Sequence, residues 1–158
     1  SEADPGRCSR YMADQKGTDV HTLEQVLESD LGSVDNAEEA VLEEARHLGF
    51  DEDDLHKIGM SVRECLVNAV VHGNRYNRRK KVHLKVARTP DCLTIVVGDE
   101  GDGFDPAKVP DPLEGDNLLR GSGRGVMLMQ AFMDEFQVSQ RSPQGTEVRM
   151  LKCKGRSE

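Results

Sequence analysis

Apolar and polar positions alternate along this chain with two distinct periods. Over residues 55–69, Leu55, Ile58, Val62, Cys65, Leu66 and Ala69 recur every three or four positions. At ~100° per residue they gather into one broad apolar stripe of a helix. Glu64, Asn68 and His72 follow one another at i, i+4 and i+8 and stack along the opposite side. Val67 and Val71 flank that polar row, which sets it apart from the Lys, Glu and Gln rows of ordinary surface helices. A half-covered carboxylate and carboxamide need partners. Two readings follow: a hydrogen-bonded row buried between two elements, or the wall of a site for a magnesium nucleotide.

The same patterning divides the rest of the chain. Residues 1–18 are polar and without period, and read as a mobile tail. Leu23, Val26 and Leu27 mark a strand over 21–28. Ser33 or Asp35 can cap a helix reaching Leu48, with Gly49 just past its end. The acids at 51–54 suit the N-terminus of the central helix, which makes them capping groups rather than catalytic ones, and Gly73 ends that helix. Val82, Leu84 and Val86 alternate, then Leu93, Ile95 and Val97, with Thr89-Pro90-Asp91 turning between them; this is a hairpin. Residues 106–120 hold three prolines and little period and read as a loop. A helix is predicted over 126–134, and a second hairpin over 136–140 and 146–152. Hairpin-paired strands with helices between the groups predict an α+β fold: a two-layer sandwich of a mixed, mostly antiparallel sheet with helices on one face. The folded domain is expected to span 19–154.

Composition narrows the functions. At 158 residues the chain is one domain with a full core. A net charge of −8 argues against a nucleic-acid surface, and the one basic run, 75–81, reads as a solvated loop. Cys8, Cys65, Cys92 and Cys153 form no CxxC pair, which argues against zinc and against a redox dithiol. Cys65 and Cys92 lie in apolar patterns and read as buried free thiols, as in a reducing compartment. No apolar run approaches the ~18 residues of a membrane span, and no secretory leader pattern opens the chain. The protein is expected to be cytoplasmic.

Two glycine clusters carry chemistry. GSGRG at 121–125 lacks the spacing of a phosphate-binding GxxxxGK[ST] loop. It lacks the dinucleotide fingerprint too, since its third glycine comes one residue early and a loop precedes it. DEGDGFD at 99–105 fails the calcium-loop register: with Gly103 at the sixth position, Gly98 falls first and Val109 last. What stays is general. Gly121, Gly123 and Gly125 let a backbone approach an anion, and the next helix offers free amides and the positive end of its dipole.

The three segments together, ECLVNAVVHGN at 64–74, DEGDGFD at 99–105 and NLLRGSGRGVMLMQAFMDE at 117–135, resemble the N, G1 and G2 boxes of the GHKL ATPase superfamily. Within it the chain is most similar to the bacterial anti-sigma-factor serine kinases, over about residues 20–152. The resemblance implies the Bergerat-type sandwich with ATP between helices and a lid. It implies binding of a sigma factor, phosphorylation of a serine on a STAS-domain antagonist, and a homodimer. Position by position, it makes Asn68 the Mg2+ ligand and Glu64 the general base. Asp99 becomes the adenine reader, with Gly101 and Gly103 letting the base lie against the backbone and Thr146 near its edge. Gly121, Gly123 and Gly125 become the phosphate cradle, and Arg124 a charge neutraliser. Asn74 and His72 match the motif; His72 is either a phosphate contact or a packed structural histidine. A second reading keeps the nucleotide but drops the transfer, leaving a regulatory binding module. A detached histidine-kinase catalytic domain is disfavoured, because no histidine sits in a dimerising helical hairpin.

Overall fold

The computed structural model describes residues 8–13, 19–102 and 123–154, with side chains excluded over 8–13, at 19 and over 123–126. The expected loop 106–120, with Gly103 and Gly121, lies outside the described residues.

The chain runs β1 (Cys8–Ala13), β2 (Asp19–Leu27), α1 (Leu31–Leu48), α2 (Glu52–Val67, continuing as a π-helical turn over Asn68–Gly73), β3 (Val82–Arg88), β4 (Cys92–Gly98), α3 (Gly123–Phe132), β5 (Glu135–Gln140) and β6 (Thr146–Cys153). The strands form one sheet in the order β1-β2-β3-β4-β6-β5. Where the sequence reads as a tail, β1 pairs with β2, Ser9 opposite Leu23. The sheet is expected to be mixed, yet every pairing among the described residues is antiparallel. The connections explain this. Two helices join β2 to β3, so the chain re-enters the sheet at the end it left. β4 and β5 run parallel, each being antiparallel to β6, but β6 is inserted between them.

Local chemistry sets the element ends. Asp30, rather than Ser33 or Asp35, caps α1: its Oδ1 accepts from the Ser33 amide at 2.8 Å. The sequence pattern hides this because Leu31 and Gly32 look unlike a helix start. Gly49 ends α1 at φ 91°, its N–H reaching the Ala45 and Arg46 carbonyls. Asp51 caps α2 through the Asp54 amide at 2.8 Å, and Glu52, Asp53 and Asp54 fill its first turn, as expected. α3 begins at Gly123, three residues before the predicted start.

The predicted stripe of α2 is buried, Leu55 partly so, and packs with Val34, Ala37 and Val41 of α1 over Leu23, Leu84, Val86, Leu93, Ile95, Val97 and Met150 of the sheet. Gly59 is close-packed at the helix pair: a Cβ there would lie 3.3 Å from Glu38 and 3.6 Å from Leu42. Beneath α1 a buried carboxylate, Glu44, takes a 2.9 Å bond from Arg88 Nε, which compensates its charge, and lies 3.2 Å from His21 Nδ1.

The cysteine reading is corrected. Cys92 and Cys153 are disulfide-bonded, and Cys65 alone is a buried free thiol among the described residues. Sequence spacing gives no sign of this. The antiparallel register of β4 and β6 sets Cys92 directly opposite Cys153, with Cα atoms 4.0 Å apart. The bond closes a loop of sequence separation 61 around the whole second half of the fold. A disulfide typically stabilises by about 2–4 kcal/mol, and a loop this long lies at the upper end. The Cys92→Ser/Cys153→Ser double variant should therefore unfold at lower urea concentration by that free energy. Equal midpoints would show that the unfolded chain does not gain freedom when the bond is lost.

Candidate functional site

The topology brings four segments to one end of the sheet: the end of α2, the residues after β4, the start of β6 and the turn after β2. Asp99 follows β4 and lies at their centre. It is 6% exposed. Its amide donates to Thr146 O at 2.9 Å. Its Oδ1 accepts from the Gly101 amide at 2.9 Å and the Thr146 amide at 3.3 Å. Oδ2 lies against Gly73 and accepts no bond from any described residue.

Three glycines make this arrangement possible. A Cβ on Gly73 would sit 2.3 Å from Asp99 Oδ2, one on Gly101 2.1 Å from Gly73 O, and one on Gly145 1.8 Å from Asp99 O. Gly145 also holds φ +108°, in the left-handed region. Backbone therefore closes on Asp99 from three sides: Gly73 against its carboxylate, Gly145 against its carbonyl, and Gly101 against Gly73.

Burial pushes the Asp99 carboxyl above its ordinary pKa, and the amides of Gly101 and Thr146, then Arg141 and Lys80, pull it back in part. Cys65 reports the same neighbourhood from below. Its thiol is raised chiefly by burial, then by the charges of Asp99 and Glu64.

The polar row of α2 is only partly as predicted. Asn68 is 3% exposed, and its Nδ2 approaches Glu64 Oε2 at 3.4 Å, with Glu64 half-buried. At Asn68 the helix widens into a π turn, closed where the Asn74 amide donates to Ala69 O at 2.8 Å. The wider turn rotates later residues off the row, so His72 is exposed to solvent and does not join Glu64 and Asn68.

Asn74 is expected at the ligand, and the structure turns its side chain into the fold. It is 2% exposed. Nδ2 donates to Ser29 Oγ and to Lys81 O, both at 2.9 Å, and Oδ1 accepts from the Glu100 amide at 2.8 Å. Ser29 Oγ in turn donates to Lys80 O. This one carboxamide ties the β2–α1 turn, the start of β3 and the residue after Asp99.

Glu100 is a positioning residue that the sequence pattern does not reveal. Its Oε2 is 2.6 Å from His83 Nε2, its Oε1 accepts from the Lys81 amide at 3.1 Å, and its carbonyl accepts from Gln144 Nε2 at 3.1 Å. The His83 hydrogen bond holds its carboxyl below the usual range, against the opposite pull of burial. The second acid of the DEGDG run is the only signal that sequence offers for it.

Gly123, Arg124 and Gly125 lie in the first turn of α3. Gly101 and Thr146 are both buried and both in contact with Asp99.

Residues 27–152 match the family of histidine kinase-like ATPase domains. The serine-protein kinase RsbW of Bacillus subtilis is 32% identical over 114 residues, covering 68% of this chain and 70% of the relative. The anti-sigma F factor of Bacillus subtilis is 31% identical over 108 residues, covering 67% and 74%. That of Clostridium botulinum is 31% identical over 102 residues, covering 63% and 71%. The chain belongs to the histidine kinase-like ATPase family, in the branch that holds these serine kinases and anti-sigma factors.

Two outcomes follow from the geometry. Asn74→Ala strands the Glu100 amide and the Lys81 carbonyl and takes one donor from the Ser29 hydroxyl, which keeps its bond to Lys80 O, at ~1–3 kcal/mol for each buried group left unpaired. A loss of roughly 3 kcal/mol is expected in urea unfolding, and a change under ~1 kcal/mol would mean that water replaces the amide.

Asp99 works in the other direction. Its folded pKa lies above its unfolded one, so the unfolded chain gives up that proton first and stability falls as pH rises through the interval between the two. Asp99→Asn removes this penalty. The unliganded variant should melt at or above the wild-type temperature at neutral pH, and the gap should shrink as acid protonates wild-type Asp99. A variant that melts lower at neutral pH would show that the carboxylate is net stabilising.

Proposed function

We propose that this protein is an ATP-dependent protein-serine kinase that also acts as an anti-sigma factor. In this reading it sequesters a sigma factor and phosphorylates a serine of a STAS-domain antagonist. The Glu64–Asn68 pair carries the reading: a carboxylate and a carboxamide 3.4 Å apart at the π turn, at the same end of the sheet as Asp99. A site that only holds nucleotide has no use for a base at Glu64.

Asp99 Oδ2 suits an adenine amine, since Oδ1 is already engaged by two amides. Gly101, Gly103 and Thr146 would border the base. Gly121, Gly123, Arg124 and Gly125 would meet the phosphates at the positive end of α3. Asn68 fits a Mg2+ ligand: its Nδ2 turns to Glu64, which leaves the hard carbonyl oxygen for the ion. When bound, Mg2+ would offset phosphate charge.

Glu64 takes the proton of the acceptor serine as its oxygen bonds to the γ-phosphorus. The bond from phosphorus to the β-bridging oxygen breaks, and ADP leaves with the electron pair. Membership of this branch supports the sigma and STAS partners, a homodimer and a cytoplasmic setting. No helix among the described residues is long and apolar enough to cross a membrane.

Glu64→Gln separates chemistry from binding. It keeps the size of the side chain but cannot take a proton. Transfer to a STAS-domain serine should fall by ~10²–10⁴-fold, while the ATP-induced rise in melting temperature stays near that of the wild type. Unchanged transfer rates would remove Glu64 from the chemistry, and a lost ATP shift would move it to the binding shell.

A further inference from the structure

Residues 74–81, NRYNRRKK, leave the end of α2 beside the Gly73–Asp99 contact. Their sequence reads as a solvated loop, but the backbone is held. The Tyr76 amide donates to Val70 O at 2.9 Å, the Asn77 amide to Asn74 O at 3.0 Å, and the Lys80 amide to Asn77 O at 3.0 Å. Asn77 Oδ1 accepts from the Arg79 amide at 2.9 Å.

Two consecutive non-glycine residues here adopt left-handed backbone, Arg75 at φ 53° and Tyr76 at φ 59°. Such conformations are costly for side chains with a Cβ, and they concentrate where function requires them. The core does not explain them: Arg75 is exposed, and Tyr76 is 51% exposed.

The charges are equally unusual for this molecule. Acids outnumber bases by 29 to 21. Outside the loop several cations find carboxylates: Arg46 with Glu39, Lys57 with Asp53, Arg63 with Asp35 and Glu38, Arg149 with Glu135. Lys81, at the loop's end, reaches Glu28 at 2.8 Å. Arg75, Arg78, Arg79 and Lys80 form no ion pair among the described residues.

We infer that this loop is a docking surface for an acidic segment of a protein partner. Tyr76 is its apolar anchor, and Arg75, Arg78 and Arg79 are the forks for carboxylates. A tyrosine beside several arginines is the composition that dominates binding at protein interfaces. A guanidinium takes a carboxylate with two parallel bonds, and here no internal pair has to be broken first. The rigid loop keeps the ordering cost low. Nucleic acid fits less well, because its long run of phosphates would meet the rest of a surface of net charge −8. A short acidic segment would not. This surface does not depend on what Glu64 does.

The probe is a fluorescein-labelled peptide of glutamates interspersed with leucine, titrated by anisotropy at low and moderate salt, beside a labelled RNA of equal length. Wild type should bind the peptide, more tightly at low salt. The Arg75→Glu/Arg78→Glu/Arg79→Glu variant should bind it about tenfold or more weakly. Its far-ultraviolet circular dichroism should match wild type; if it does not, Arg79→Gln alone carries the comparison, with about a twofold loss or more. Tyr76→Gly should also bind more weakly, yet melt no lower than wild type, since glycine relieves the left-handed strain. Three results would overturn the inference: no binding by wild type, equal binding by the charge-reversed variant, or RNA bound more tightly than peptide at the same residues.

Discussion

The close approach of three backbone segments around one buried aspartate, Asp99, constrains much else in this protein. Asp99 keeps its position because Gly73, Gly101 and Gly145 carry no Cβ at distances of 1.8 to 2.3 Å from neighbouring atoms. Each glycine belongs to a different element: the end of α2, the turn after β4 and the turn before β6. The carboxylate thus couples the helix layer to two strands of the sheet. Burial raises the free energy of its charged form, and two amides on one oxygen, with the more distant charges of Arg141 and Lys80, offset this only in part. A carboxylate held in this way is poor for stability and well prepared for a hydrogen-bond donor from outside.

The surrounding shell makes that position reproducible. Asn74 and Glu100 act as paired clamps behind Asp99, joining Ser29, Lys81 and His83 to the turn. Sheet topology makes this shell possible. Two helices between β2 and β3, and the insertion of β6 beside β4, return the chain repeatedly to one end of an antiparallel sheet. Residues as far apart in sequence as Ser29, Asn74, Asp99 and Thr146 then meet within hydrogen-bonding distance, without a long buried loop. At the opposite end of the β4–β6 ladder, Cys92 and Cys153 close the same pair of strands covalently.

The π turn at the end of α2 connects these features. A regular helix would carry Glu64, Asn68 and His72 along one line. The widened turn keeps the first two together, releases His72 to solvent, and directs Gly73 and Asn74 inward toward Asp99 and Glu100. It also launches the left-handed pair Arg75 and Tyr76, whose amide closes back on Val70. One irregularity in helix pitch thereby separates the polar pair from the structural clamp and from the exposed basic loop.

Much of this was legible in the chain itself. The apolar stripe from Leu55 to Ala69, the alternation in β3 and β4, the acids at the head of α2 and the glycine at the end of α1 follow from local periodicity and capping. Three motifs in order named the family, because their residue types and spacing are jointly specific. Tertiary structure decided the rest. Register alone set Cys92 against Cys153, since strand pairing brings together residues that share no local pattern. The pairing of β1 needed β2 as a template. The inward turn of Asn74 and the outward turn of His72 came from a change of helix pitch that no residue spacing records. The raised Asp99 carboxyl came from burial, and burial is a property of neighbours that only folding supplies.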